Sequence, residues 1–183
     1  MKRIRRSTAI LVAAALATTL TAGTVLAGGG PVTAAATGGG GNLIGTLQVS
    51  FSFNAIGKHD GSATGRLFHS VVLGGQLIEF VGRVTCVTVD SDNHRAWIGG
   101  VITANNSEHP AFQNTEHQVG RDIWFRVLDN GEGSGAEPDR STFVGFEGSA
   151  GFITSAEYCA GQPWPDDNAR TSPLNKGNLQ VHD

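Results

Sequence analysis

The sequence predicts an all-β chain: a single antiparallel domain of about seven or eight strands, a small barrel or a sandwich, preceded by a signal peptide and a Gly-rich tether. Three observations carry this. Apolar residues between Leu43 and His182 recur at every second position, the period of a strand with one buried face. The apolar runs are separated by Gly, Asn, Asp and Ser, which favour turns. No segment places apolar residues at i, i+3, i+4 and i+7 over a helical length.

The N-terminal 27 residues are set apart first. Lys2, Arg3, Arg5 and Arg6 precede an uncharged run from Ala9 to Leu20, and Val25-Leu26-Ala27 offers the small-x-small pattern of a cleavage site. That is a secretory signal peptide over 1–27. A second cleavage pattern ends at Ala36. Gly28-Gly29-Gly30 and Gly38 to Gly41 bracket a run with no charge and no aromatic residue, so 28–41 reads as a flexible tether and 42–183 as the β-domain. The whole chain has 183 residues and a formal charge of −3. Its signal peptide holds four of 13 basic residues and none of 16 acidic ones, which leaves the exported part near −7. An acidic surface argues against nucleic acid as a partner, because that interaction depends on Lys and Arg neutralising phosphates. No later run approaches the ~20 apolar residues of a membrane helix, so the expected location is extracellular or periplasmic, with no transmembrane segment in the mature chain.

Leu43 to Phe53 alternates with Val49, Phe51 and Phe53 on one face, the first predicted strand. Thr64 to Leu73 is a second, closed by Gly74-Gly75. A third runs from Gln76 to Asp90 with Ile78, Phe80, Gly82, Val84 and Cys86 inward, then slips phase to Val87 and Val89, which suggests a bulge near Cys86. Arg95 to Ala104 is a fourth, Val119 to Asp129 a fifth and Ser141 to Glu147 a sixth. Gly148 to Pro173 shows no pattern and reads as irregular. Gly177 to His182 closes the chain as a short strand with Leu179 and Val181 inward.

Cys86 and Cys159 are the only cysteines. An even pair in an exported chain predicts one disulfide.

The stretch Val84-Thr85-Cys86-Val87-Thr88-Val89-Asp90, followed by Arg95-Ala96-Trp97-Ile98-Gly99-Gly100, resembles a group of uncharacterised exported bacterial β-domains. Phe125 to Gly133 and the closing Gly177-Asn178-Leu179-Gln180-Val181-His182 agree with the same group. The turn Ser91-Asp92-Asn93-His94 is longer than the group's. The resemblance implies fold class and export, and brings no activity.

Candidate chemistry is sparse. Asp129, Asn130, Glu132, Glu137 and Asp139 space oxygen ligands through a Gly-rich loop, as a hard cation such as Ca²⁺ requires. The same residues also suit a plain turn with acids capping backbone N–H groups. Asn106-Ser107-Glu108-His109 recurs as Asn114-Thr115-Glu116-His117, which offers two Glu-His pairs or simply a polar loop. The histidines and serines form no recognisable hydrolase motif. Trp97 and Trp124 lie opposite in phase to Ile98 and Ile123. If those isoleucines face the core, both indoles face outward together as a ligand or partner surface; in a closed barrel both indoles inside is the other assignment. Phe68, Phe112, Tyr158 and Trp164 are further pocket candidates.

These observations lead to the expectation of a secreted, non-enzymatic β-domain with a binding or structural role. It has no expected cofactor other than the Ca²⁺ option. The partner is left open among a protein, a glycan and a small ligand. A small-ligand carrier using a barrel interior, and after it a metal-dependent enzyme, are the alternatives.

Overall fold

The computed structural model describes residues 31–133, 135–165 and 170–183. The signal peptide therefore lies outside the described residues. Among the described residues nine antiparallel strands form one sheet: β1 (Val32–Ile44), β2 (Leu47–Lys58), β3 (Ala63–Leu73), β4 (Gln76–Asp90), β5 (Arg95–Asn105), β6 (Asp122–Leu128), β7 (Arg140–Ser141), β8 (Gly145–Phe146) and β9 (Ser172–His182). Their spatial order is β5-β4-β3-β2-β1-β9-β7-β6-β8, and β5 also pairs with β6, so the ladder returns on itself as a closed ring with β8 appended to β6. One helix, α1 (Ser155–Gly161), lies outside the ring against β4, β5 and β6.

The alternation read in the sequence becomes the interior of this ring. Val49, Phe51, Phe53 and Ala55 of β2 meet Leu67 and Val71 of β3, Ile78, Phe80 and Val84 of β4, Ile98 and Ile102 of β5, Ile123, Phe125 and Val127 of β6, and Leu179 and Val181 of β9 in one buried cluster. Phe53 and Phe125 meet edge to face at 5.1 Å across the interior, a favourable aromatic geometry. Each buried Val, Leu, Ile or Phe contributes about 2 kcal/mol by leaving water. The register of β4 against β5 shifts between Val84 and Cys86, where the sequence slips phase.

Four expectations need correction. The predicted sixth strand, Ser141 to Glu147, is two short pairings, β7 and β8, with 142–144 outside the ladder. The segment 32–41 is not a tether: it belongs to β1, which pairs with β2 on one side and β9 on the other. Its glycines are there for close approach. A Cβ on Gly40 would stand 2.2 Å from the Lys176 carbonyl oxygen, and one on Gly38 2.5 Å from that of Asn178. Side chains at these positions would push β9 away and open the ring. The run Leu43 to Phe53 is not one strand either, since Gly45-Thr46 turns the chain between β1 and β2 and leaves Leu43 exposed. Finally, 148–173 is not wholly irregular. Thr154 caps α1 through a reciprocal capping box with Glu157, and β9 begins at Ser172, five residues before the expected start.

Candidate functional site

The predicted aromatic surface is a second, covered layer. Trp97 and Trp124 do lie on the opposite phase to Ile98 and Ile123, outside the ring, yet they are 0% and 2% exposed. With Tyr158 they form a separate buried cluster, flanked by Phe152 and Trp164. Tyr158 stacks on Trp124 with centroids 5.5 Å apart, and Phe152 meets Tyr158 edge-on at 5.6 Å. The Trp97 indole N–H donates to the Pro163 carbonyl at 2.9 Å. Burial pushes the Tyr158 hydroxyl well above its ordinary pKa, with the Arg126 charge opposing. The two indoles are therefore not a free ligand or partner surface.

The cover is tied down covalently. Cys86 of β4 and Cys159 of α1 form the expected disulfide, with Cα atoms 6.3 Å apart. Gly99 lies across from Cys86, and a Cβ there would come within 2.6 Å of Ser155 Cβ and 2.7 Å of Cys86 Sγ. The absent side chain is thus what lets α1 sit on the sheet. Asp122 completes the attachment by accepting from the Ser155 backbone N–H at 2.7 Å and from its hydroxyl. Between this cover and β8 a cleft of about 200 Å³ is lined by Trp124, Phe143, Tyr158 and Trp164, with the Arg170 guanidinium 4.3 Å from the Trp164 ring centre.

The acidic loop acts as a brace. Asp139, 6% exposed, accepts from the backbone N–H groups of Asn130 at 2.9 Å and Leu179 at 2.7 Å. Asp129 accepts from Gly131 at 2.8 Å and Val181 at 3.1 Å. The Asn130 amide donates to the Pro138 carbonyl at 2.6 Å, and Glu132 accepts from the Asn178 amide at 2.7 Å. Glu137 is exposed. These bonds fasten the loop to β9, and among the described residues no group of three His, Cys, Asp or Glu side chains is placed to hold a metal. Of the five proposed oxygen ligands, Asp129, Glu132 and Asp139 accept from protein donors, and the Asn130 side chain donates to a carbonyl.

The repeated Asn-x-Glu-His segment closes one end of the ring. His109 and Asn114 each cap a short 3-10 turn, at Pro110–Phe112 and Thr115–His117. Phe112 and His117 pack on Phe80 and Phe146, and the Asn105 amide donates to the carbonyls of Phe112 at 2.7 Å and His117 at 2.9 Å. Burial pulls the His117 pKa down, with Glu116 opposing.

Sequence reasoning missed a polar pair inside the ring. His69 faces inward from β3 between Phe51 and Phe143, with both ring nitrogens unpartnered among the described residues, and burial drives its pKa down to about 3. Asn42 of β1 is fully buried and donates to Ser141 Oγ at 2.8 Å. Strand phase alone signals His69, which falls between Leu67 and Val71 in the inward series.

Larger clefts open elsewhere on the outside. One, of about 420 Å³, lies at the end of the ring between His94, Asp129 and His182. The other, of about 430 Å³, lies on the outer face of β2, β3 and β4 and is lined by Ser52, Asn54, Arg66, Phe68 and Val81. Comparison with family models, curated proteins and solved structures finds no match for this chain. Among the described residues no helix is long and apolar enough to cross a membrane.

Proposed function

We propose that this chain is an exported, disulfide-braced β-domain that works by binding on the outer face of its ring and not by catalysis. The observation that carries the reading is that the inward and the aromatic faces are both spent on structure. Phe51, Phe53, Phe80, Phe125 and Phe146 fill the interior, where a carrier would need roughly 300 Å³ of open space. α1 covers Trp97 and Trp124, and Asp129, Glu132 and Asp139 accept from backbone and amide donors. Among the open clefts, the one on the sheet face over β2–β4 joins an aromatic ring to unmatched positive charge, and it is the surface this reading assigns to a partner. A Cys86–Cys159 bridge suits an oxidising compartment. The extent of β1 also favours signal cleavage after Ala27: cutting after Ala36 would remove a buried residue paired with both Ala55 and Val181.

The test is to express the full chain in a bacterial host, separate the exported fraction, and sequence its N-terminus and count its thiols. The exported protein should begin at Gly28 and carry no free thiol. It should be retarded in polysaccharide-containing gels without shortening the polymer. A chain kept in the cytoplasm with Met1 intact, or one that releases new reducing ends, contradicts the reading.

A further inference from the structure

The outer face of β2–β4 carries an ordered grid of side chains. In the sheet register Ser52 lies opposite Phe68 and Phe68 opposite Val81; one step along the same face, Asn54 lies opposite Arg66 and Arg66 opposite Arg83. Same-face positions on adjacent strands lie about 5 Å apart, so the six side chains cover an area about 10 Å wide. Ser52, Asn54, Arg66 and Arg83 are exposed, and Phe68 and Val81 half-buried, which gives an apolar floor beside a polar row.

The two arginines are the unusual element. Like charges directly opposite each other on a sheet oppose pairing. Neither side chain has a hydrogen bond or ion pair among the described residues, whereas Arg121 of the same protein is matched by Glu147. Asn54 Oδ1 accepts from the Arg66 backbone N–H at 3.0 Å, which fixes the strand beneath the first guanidinium. Two unmatched guanidiniums at adjacent register positions offer, by their chemistry, N–H donors in fork geometry suited to a carboxylate.

Resting on the binding reading above, we infer that the grid is a site for an acidic sugar, a uronate residue of a polysaccharide. The Arg66 and Arg83 guanidiniums take its carboxylate, the Phe68 ring receives the apolar face of the pyranose, and Ser52 and Asn54 side chains bond its hydroxyls. The width of the grid matches one sugar ring with one charged substituent. Because the exported chain is acidic overall, long-range attraction does not carry the binding, which depends on direct guanidinium contact.

The experiment uses the exported, disulfide-bonded chain and trigalacturonate as probe, with maltotriose and pentaglutamate as competitors, read by calorimetry. Trigalacturonate should bind and weaken as salt rises. Arg66→Gln and Arg83→Gln should each lower affinity by about tenfold or more, the loss expected for a charged hydrogen bond. Phe68→Leu should lower it by a smaller factor, while Lys176→Gln, on β9, leaves it unchanged. All variants should keep the native tryptophan emission, which reports folding separately. Absence of trigalacturonate binding, or binding untouched by both arginine variants, overturns the site. Equal competition by pentaglutamate overturns the sugar as ligand class and leaves the domain a binding module. A cytoplasmic location or turnover of the polymer would instead defeat the underlying reading.

Discussion

The two apolar clusters of this molecule are held together differently. The inner one draws on β1 to β6, β8 and β9 and is enclosed by the ring, so its residues are fixed by many strand pairs at once. The outer one consists of two indoles on β5 and β6, covered by a seven-residue helix that is held by a disulfide, a capping box and Asp122. A helix this short is marginal alone. The inner cluster makes the fold; the outer cluster depends on a covalent clamp and exists because one is present.

The largest expected effect comes from cutting that clamp. Replacing Cys86 and Cys159 by Ser should cost about 4 kcal/mol in chemical denaturation, the loop-entropy value for a closure of this length. The loss should be accompanied by exposure of Trp97 and Trp124. Striking the ring instead, Gly40→Ala should cost about 3 kcal/mol, because the new Cβ meets the Lys176 carbonyl and β1 and β9 must separate. Circular dichroism of that variant would show loss of strand signal, whereas the double Ser variant keeps it.

A pH titration sharpens the contrast. His69 sits in the inner cluster with its pKa lowered to about 3 from 6.5, so the unfolded chain binds the proton more readily than the folded one. The stability contributed by keeping it neutral is complete above about pH 6.5 and lost as pH falls toward 3. At pH 5 the loss should be about 2 kcal/mol relative to pH 7. His69→Leu should flatten this part of the stability–pH curve, and an unchanged slope would show that His69 is not buried neutral. On the outer side, Thr154→Ala removes the α1 cap and should cost about 1 kcal/mol. The smallest effect is expected from calcium: with Asp129 and Asp139 bonded to backbone N–H groups, the thermal midpoint should be the same in calcium and in chelator. A clear rise in calcium would restore the loop as a metal site.

The same division decides what could be read in the sequence. Strands of the inner cluster announce themselves because large apolar residues alternate with polar ones, as in Val49, Phe51 and Phe53, or Ile123, Phe125 and Val127. β1 has no such signal, since Gly38 to Gly41 contribute backbone only, and the reason for them lies in β9, some 140 residues away. Strand phase put Trp97 and Trp124 on one common face opposite Ile98 and Ile123 and left open whether that face was outside or inside the ring; it is outside. Their cover comes from a helix of two turns, too short for apolar periodicity, whose one local mark is Thr154 three residues before Glu157. The pairing of Cys86 with Cys159 was legible from compartment chemistry; what it fastens was not. The Arg66–Arg83 juxtaposition was legible, since the two-residue turn Gly74-Gly75 sets Leu73 opposite Gln76 and hence Arg66 opposite Arg83.

The aromatic face is sealed by the disulfide-held segment, and the outer face of β2–β4 stays open. The most direct test of that seal is acrylamide quenching of tryptophan emission in a Trp164→Phe variant, which retains Trp97 and Trp124, before and after reduction. The oxidised protein should show blue-shifted emission nearly insensitive to quencher, and reduction should shift it to the red and make it quenchable. Ready quenching of both indoles in the oxidised protein would contradict the account.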